Sequence, residues 1–159
     1  MTIRVLVADD QAMIRGALAG LLDLESDIEV VAQAADGAQA LEELARLASA
    51  DAPAHASAPV DVAIIDIEMP RMDGITATQA IHSRFPGVRV LIVSTFGRPG
   101  YLQRALDAGA TGFMVKDAPV EALADGVRTV AAGGRAIDQS LALEALSTGS
   151  SPLTDREAD

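Results

Sequence analysis

The sequence predicts an α/β protein, a doubly wound parallel sheet covered by helices on both faces. Three observations predict it. Five apolar runs of strand length alternate with segments whose apolar residues recur at helical spacing. Pro, Gly and capping residues punctuate the boundaries between them. Four of the apolar runs end in reactive polar groups: Asp9-Asp10, Asp66, Ser94-Thr95 and Lys116. In open sheets of this kind ligands bind outside the carboxyl ends of the strands, so topology and chemistry point to one edge.

The elements follow in order. Residues 3–8 form the first strand, apolar apart from Arg4. Gln11 to Asp23 is a helix, with Ile14, Leu18, Leu21 and Leu22 at helical spacing; Ile14, Leu18 and Leu21 form its core stripe and Met13, Ala17 and Gly20 a second, small-apolar stripe. Ile28 to Ala34 is the second strand. Asp36 caps a helix running from Gly37 to Ser49, with Leu41, Leu44 and Ala48 on one face. Asp51 to Pro59, rich in Ala and Pro, is a surface loop. Val62 to Ile67 is the third strand, and Gly74 to Phe85 a helix ended by Pro86-Gly87. Val88 to Ser94 is the fourth strand. Pro99 to Ala108 is a helix with Pro in its first turn, stopped by Gly109. Thr111 to Val115 is the fifth strand. Pro119 to Ala132 is the last long helix, ended by Gly133-Gly134.

Residues 1–134 therefore read as one domain and 135–152 as a linker. Within the linker, Gln139 to Leu146 is a candidate short helix, and 147–152 has the Ser/Gly/Thr/Pro composition of a flexible tether. Residues 153–159 start a new element, with Thr154 and Glu157 at capping-box spacing.

Composition narrows the function. Half of the 159 residues are apolar and only 3% aromatic, so Ala, Val, Leu and Ile must build the core. A net charge of −11 argues against a nucleic-acid surface, which needs clustered Lys and Arg. With no cysteine, thiolate chemistry and disulfides are excluded. Met1-Thr2-Ile3-Arg4 leads straight into a strand without signal-peptide character, and no apolar run approaches membrane-spanning length. The expectation is a soluble, cytoplasmic protein with no membrane partner.

Each polar strand end has an ordinary explanation on its own. Asp9 or Asp10 could cap the first helix, Ser94 or Thr95 could be loop hydroxyls, and Lys116 a solvated lysine. Met69-Pro70 is a turn signal in any case. Phe113 and the Leu/Val stripes are ordinarily core, and His55 and His82 stand apart as surface residues. What the ordinary explanations leave unaccounted for is the coincidence of acid, acid, hydroxyl and ammonium at one sheet edge. That constellation can hold a divalent metal and a phosphoryl group, since a buried strand-end carboxylate is costly without such a partner.

The chain resembles the receiver domain of bacterial response regulators. The matching pieces are Val7-Ala8-Asp9-Asp10, residues 35–41 (ADGAQAL), residues 66–74 (DIEMPRMDG), Ser94-Thr95 and residues 109–117 (GATGFMVKD). The resemblance covers about residues 3–133, and D-x-x-M-P-x-M-D-G is a highly specific part of it. Lys116-Asp117 and residues 153–157 (LTDRE) resemble the NarL/LuxR branch, whose output is a helix-turn-helix DNA-binding domain; 153–159 would be its truncated start. Residues 95–101 (TFGRPGY) are similar to the membrane-fluidity (desaturase) regulators of that branch.

The resemblance implies a flavodoxin-like, five-stranded sheet in the order 2-1-3-4-5. It implies a two-component signal transduction protein in transcription regulation, a cytoplasmic phosphoprotein. Asp66 would accept a phosphoryl group from a sensor histidine kinase. Magnesium would be held by Asp10 and Asp66 directly, by Asp9 through water, and by the backbone carbonyl of Glu68. Lys116 would neutralise a phosphoryl oxygen. Ser94 is the expected switch hydroxyl, with Thr95 as the alternative, and Phe113 the aromatic that changes rotamer as the hydroxyl moves. The implied output is a homodimer formed on phosphorylation, through the first-helix stripe and the last-helix residues Val120, Leu123, Ala124, Val127, Val130 and Ala131. DNA would be reached only through the missing C-terminal domain. Such a chain is a switch and not an enzyme, though it catalyses its own phosphotransfer and slow autodephosphorylation.

Two departures from the family pattern stand out. Lys116-Asp117 replaces a common Lys-Pro, which leaves the conformation of that bond open because a cis bond before a non-proline costs about 2.5–4 kcal/mol. The 51–59 loop is longer than usual.

Three rival functions are weaker. A haloacid-dehalogenase-type phosphatase needs a second Asp two residues after the nucleophile, where this chain has Glu68. A pseudo-receiver, acting by phosphorylation-independent binding, would usually lose part of the acid set, and none is lost. A dinucleotide binder needs a glycine-rich first turn, where this chain has Asp9-Asp10-Gln11-Ala12.

Overall fold

The computed structural model describes residues 2–50, 59–94, 101–116 and 118–137. Strands and helices alternate: β1 (Ile3–Ala8), α1 (Ala12–Asp23), β2 (Ile28–Ala34), α2 (Gly37–Ala50), β3 (Val62–Asp66), α3 (Gly74–Arg84), β4 (Arg89–Ser94), α4 (Tyr101–Ala108), β5 (Gly112–Val115), α5 (Val120–Ala131) and β6 (Ala136–Ile137). All pairings are parallel, in the order β2-β1-β3-β4-β5-β6. The predicted order is present, but the expectation of five strands is corrected to six. β6 falls in the stretch read as linker: Ala136 and Ile137 stand beside Gly112 and Phe113 on the open edge of β5. The predictions for 51–58, Thr95, Pro99, Asp117 and everything from 138 onward, including the Gln139–Leu146 helix and the 153–159 start, lie outside the described residues.

Strand periodicity splits the core into two layers. Leu6, Ala8, Ala63, Ile65, Val90, Ile92 and Phe113 face one side, where Leu41, Leu44, Ala77, Ile81 and Ala105 of α2, α3 and α4 cover them. Val5, Val7, Val62, Ile64, Leu91, Val93 and Met114 face the other, under Leu22 of α1 and Leu123, Val127 and Val130 of α5. Strands covered on both faces read as continuous apolar runs for this reason.

Two helix faces differ from expectation. In α1 the buried residues are Ala19 and Leu22, while Leu21 is 45% exposed. Of the expected residues, Leu22 is in the core and half-buried Leu18 packs against it, while Leu21 turns outward. The helix is apolar on both arcs, so only the sheet contact decides. In α5, Leu123, Ala124, Val127 and Val130 are buried in the core, so they cannot form the outward dimer stripe expected of them. The outer side of α5 is tied instead to the α1–β2 turn. Arg128 donates to Asp27 (2.8 Å), Glu25 (2.6 Å) and Asp125 (2.9 Å). Among the described residues no helix is long and apolar enough to cross a membrane.

Candidate functional site

The site is built where β1, β3, β4 and β5 end. The buried middle of each strand is apolar and polar groups gather at its ends, because a polar group in the middle would be sealed between helix layers. Asp66 closes β3 and Ser94 closes β4; both are buried. Asp9 follows β1, buried, and Asp10 beside it is exposed. Asp9 is fixed from three sides. Its Oδ1 accepts from Gln11 N–H at 2.9 Å, its carbonyl from Arg15 Nη1 at 2.7 Å, and its own N–H donates to Ala34 O at 3.0 Å. Lys116 follows β5, and its N–H donates to Ser94 O at 2.7 Å.

Lys116 Nζ lies 2.8 Å from Asp9 Oδ2 and 3.2 Å from Asp66 Oδ2. Asp9, Asp10 and Asp66 each present a carboxylate oxygen, all within 4.8 Å of one another. Burial pushes the Asp66 carboxyl up to about 6; Lys116 opposes this, and the Asp9 and Asp10 charges add to it. For Lys116 burial disfavours the ammonium, but Asp9 and Asp66 outweigh it and hold the group above its ordinary value.

The donor set fits a hard divalent cation. Three carboxylates converge with one ammonium between them, and the enclosed Asp9 Oδ2 accepts no well-aligned hydrogen bond despite Lys116 at 2.8 Å. Hard oxygen ligands of this kind suit Mg²⁺, which keeps several waters of its own. Beside the acids opens a cleft of ≈ 540 Å³, floored by Ile67, Met69 and Ile75 and rimmed by Asp10, Glu68 and Arg104.

The structure thus brings together Asp9, Asp10, Asp66 and Lys116, with Ser94 on the neighbouring strand end. Glu68 stands exposed at the rim. Phe113 is completely buried beside Ile92 in the α3/α4 layer. Thr95 lies outside the described residues. Sequence reasoning missed Arg15, whose guanidinium holds the Asp9 carbonyl; a lone cation on an apolar helix was the available signal. It also missed Arg71, which donates to the buried Asp36 and has no local signal at all.

Comparison with known proteins agrees with this geometry. Residues 5–128 match the response regulator receiver domain family. The chain is 39% identical over 157 residues to the transcriptional regulatory protein DesR of Bacillus subtilis (strain 168), covering 99% of this chain and 72% of DesR. The signal receiver domain of the response regulator NarL from Mycobacterium tuberculosis superposes with a TM-score of 0.72 at 34% identity, covering 83% of this chain and 98% of that one. A LuxR-family two-component response regulator from Aurantimonas sp. SI85-9A1 gives 0.81 at 25% identity, covering 93% and 98%. With its apolar strands delivering acids and an amine to one rim, and with that match spanning most of its length, this chain belongs to the response regulator receiver domain family, of the NarL/LuxR type.

Proposed function

We propose that the chain is a phosphorylation switch in which Asp66 accepts a phosphoryl group from a phosphohistidine of a sensor kinase. A carboxylate oxygen of Asp66 attacks phosphorus, the P–N bond to the histidine breaks, and its electron pair returns to the imidazole nitrogen, which takes up a proton. The observation that carries this reading is the Asp9–Asp10–Asp66 cluster with Lys116 within 2.8 and 3.2 Å of two of its acids. Asp10 and Asp66 would hold Mg²⁺ directly, Asp9 through water, and Glu68 through its backbone carbonyl. The cation supplies charge neutralisation for the incoming phosphoryl group. Lys116 neutralises one phosphoryl oxygen, Ser94 (or Thr95) hydrogen-bonds another, and Phe113 follows the hydroxyl. The same groups serve slow autodephosphorylation, so the protein acts as a switch and not as a turnover enzyme.

The output is homodimerisation in the cytoplasm, with DNA engaged by a helix-turn-helix domain that residues 153–159 begin and the segment after β6, 138–152, tethers. The complete acid set speaks against a pseudo-receiver. Asp66→Ala is expected to abolish labelling by acetyl phosphate and Mg²⁺, read as the added phosphoryl mass in intact-protein mass spectrometry. Labelling of the variant at the wild-type level would refute Asp66 as the acceptor.

A further inference from the structure

One contact in the loop after Asp66 has no part in the chemistry above. Asp36, buried at the start of α2, accepts from Gln39 N–H through Oδ1 at 2.8 Å, which caps the helix. Its other oxygen, Oδ2, accepts from two nitrogens of Arg71: Nε at 2.8 Å, and Nη2. Arg71 stands at φ +65°, the left-handed region that side chains rarely adopt. It is the centre of a three-residue turn closed by Met72 N–H donating to Pro70 O at 2.6 Å.

The loop is gripped again one residue on. Gly37 N–H donates to Met72 O at 3.2 Å, and a Cβ on Gly37 would stand 2.8 Å from that oxygen. At its far end Gly74 N–H donates to Ile67 O at 2.7 Å, and a Cβ there would stand 2.2 Å from Asp66 O. The segment between Asp66 and α3 is therefore pinned at two points, by the β2–α2 turn and by the end of β3. A side-chain-bearing residue keeps positive φ only where its surroundings over-determine it. Here the guanidinium on a buried carboxylate contributes to this, and its loss would leave Asp36 Oδ2 without the Arg71 donors while Oδ1 keeps its bond from Gln39 N–H.

We propose that Arg71 is a positioning residue: clamped on Asp36, it holds the Ile67–Asp73 loop in the arrangement that presents the Asp66 carboxylate and the Glu68 carbonyl to a divalent cation. This rests on the phosphoacceptor reading and deepens it, because it makes cation affinity depend on a pair that touches neither acid.

The test compares the whole chain with Arg71→Ala, Arg71→Lys, Asp36→Asn and the Asp36→Asn/Arg71→Ala double variant. Mg²⁺ affinity is measured by calorimetry without phosphodonor, and the Mg²⁺ dependence of acetyl phosphate labelling beside it. Arg71→Ala and Asp36→Asn should each raise the half-saturating Mg²⁺ concentration by roughly tenfold, the scale of contacts that orient a metal ligand from outside. The labelling rate at saturating Mg²⁺ should stay within about twofold, a split that general loss of structure would not give. Arg71→Lys should recover part of the affinity, and the double variant should be no worse than either single one.

Unchanged Mg²⁺ affinity in both single variants, or losses that multiply in the double variant, overturns the clamp while the wild type still labels. A wild-type chain that neither binds Mg²⁺ nor labels overturns the phosphoacceptor reading and the clamp with it. Should Arg71→Ala fail to fold, Asp36→Asn, which keeps the α2 cap through Oδ1, and Arg71→Lys decide the matter.

Discussion

Asp66 titrates near 6 in the fold and near 3.8 in an ordinary environment, and burial is the main cause. The native state therefore binds this proton more tightly than the unfolded chain does. Stability falls as pH rises between those two values, and above about pH 6 the full penalty is present in the metal-free protein. Below about pH 4 both states are protonated and the penalty vanishes. Asp66→Asn removes the titrating charge and leaves Lys116 its partner Asp9 at 2.8 Å. Without metal the variant should melt several degrees above the wild type at pH 7.5, and level with it at pH 4. Mg²⁺ should close the gap at pH 7.5 by stabilising only the chain that retains Asp66. Thermal unfolding followed by circular dichroism checks this; a variant less stable than the wild type at both pH values would contradict the buried-charge account.

Among the elements, α3 starts at the end of β3 with almost no clearance. Asp73 caps it by accepting from Thr76 N–H at 2.8 Å, and Gly74 lies against the Asp66 carbonyl. Gly16, in the middle of α1 and exposed, has nothing within 4 Å of its would-be Cβ. The same substitution should therefore have opposite signs. Gly16→Ala removes the conformational freedom of glycine in a helix interior and should stabilise by roughly 0.5–1 kcal/mol. Gly74→Ala forces backbone apart next to the phosphoacceptor and should cost about 2 kcal/mol or more. It should also slow acetyl phosphate labelling, because moving the Asp66 carbonyl moves its side chain. Denaturant unfolding of the two variants beside the wild type decides the signs. A neutral Gly74→Ala would mean that α3 can slide away from β3 without consequence.

At the scale of the whole molecule, the sequence makes the fold readable wherever polarity interrupts an apolar run. Asp66, Ser94 and Lys116 mark strand ends because a doubly covered strand cannot hold them earlier, and that one constraint locates most of the site. β6 is unreadable: Ala136 and Ile137 are too few to show a period, and the open edge of β5 selects their pairing. The outward turn of Leu21 in α1 is unreadable for the opposite reason, an excess of apolar residues. The bond from Arg71 to Asp36 spans 35 positions, so no local pattern announces it. What α1 and its C-cap leave outside is a surface with Met13 89% exposed, Leu24 79% and Leu21 45%, beside exposed Ala17 and Gly20. Monomers seldom leave a contiguous apolar patch without a use for it, and the core has already taken the apolar side of α5. The homodimer proposed above should therefore bury the outer face of α1. A chain of net charge −11 repels its copy, so this association should strengthen with added salt, as the screening length shortens to about 8 Å at physiological ionic strength. Met13→Glu and Leu24→Glu should leave acetyl phosphate labelling intact and weaken phosphorylation-dependent dimerisation by roughly tenfold or more, the cost of withdrawing one buried apolar side chain. Sedimentation of phosphorylated wild type and variants at low and high salt reads both effects. If the glutamate variants dimerise as the wild type does, the interface lies on another face and the exposed residues of α1 serve something else.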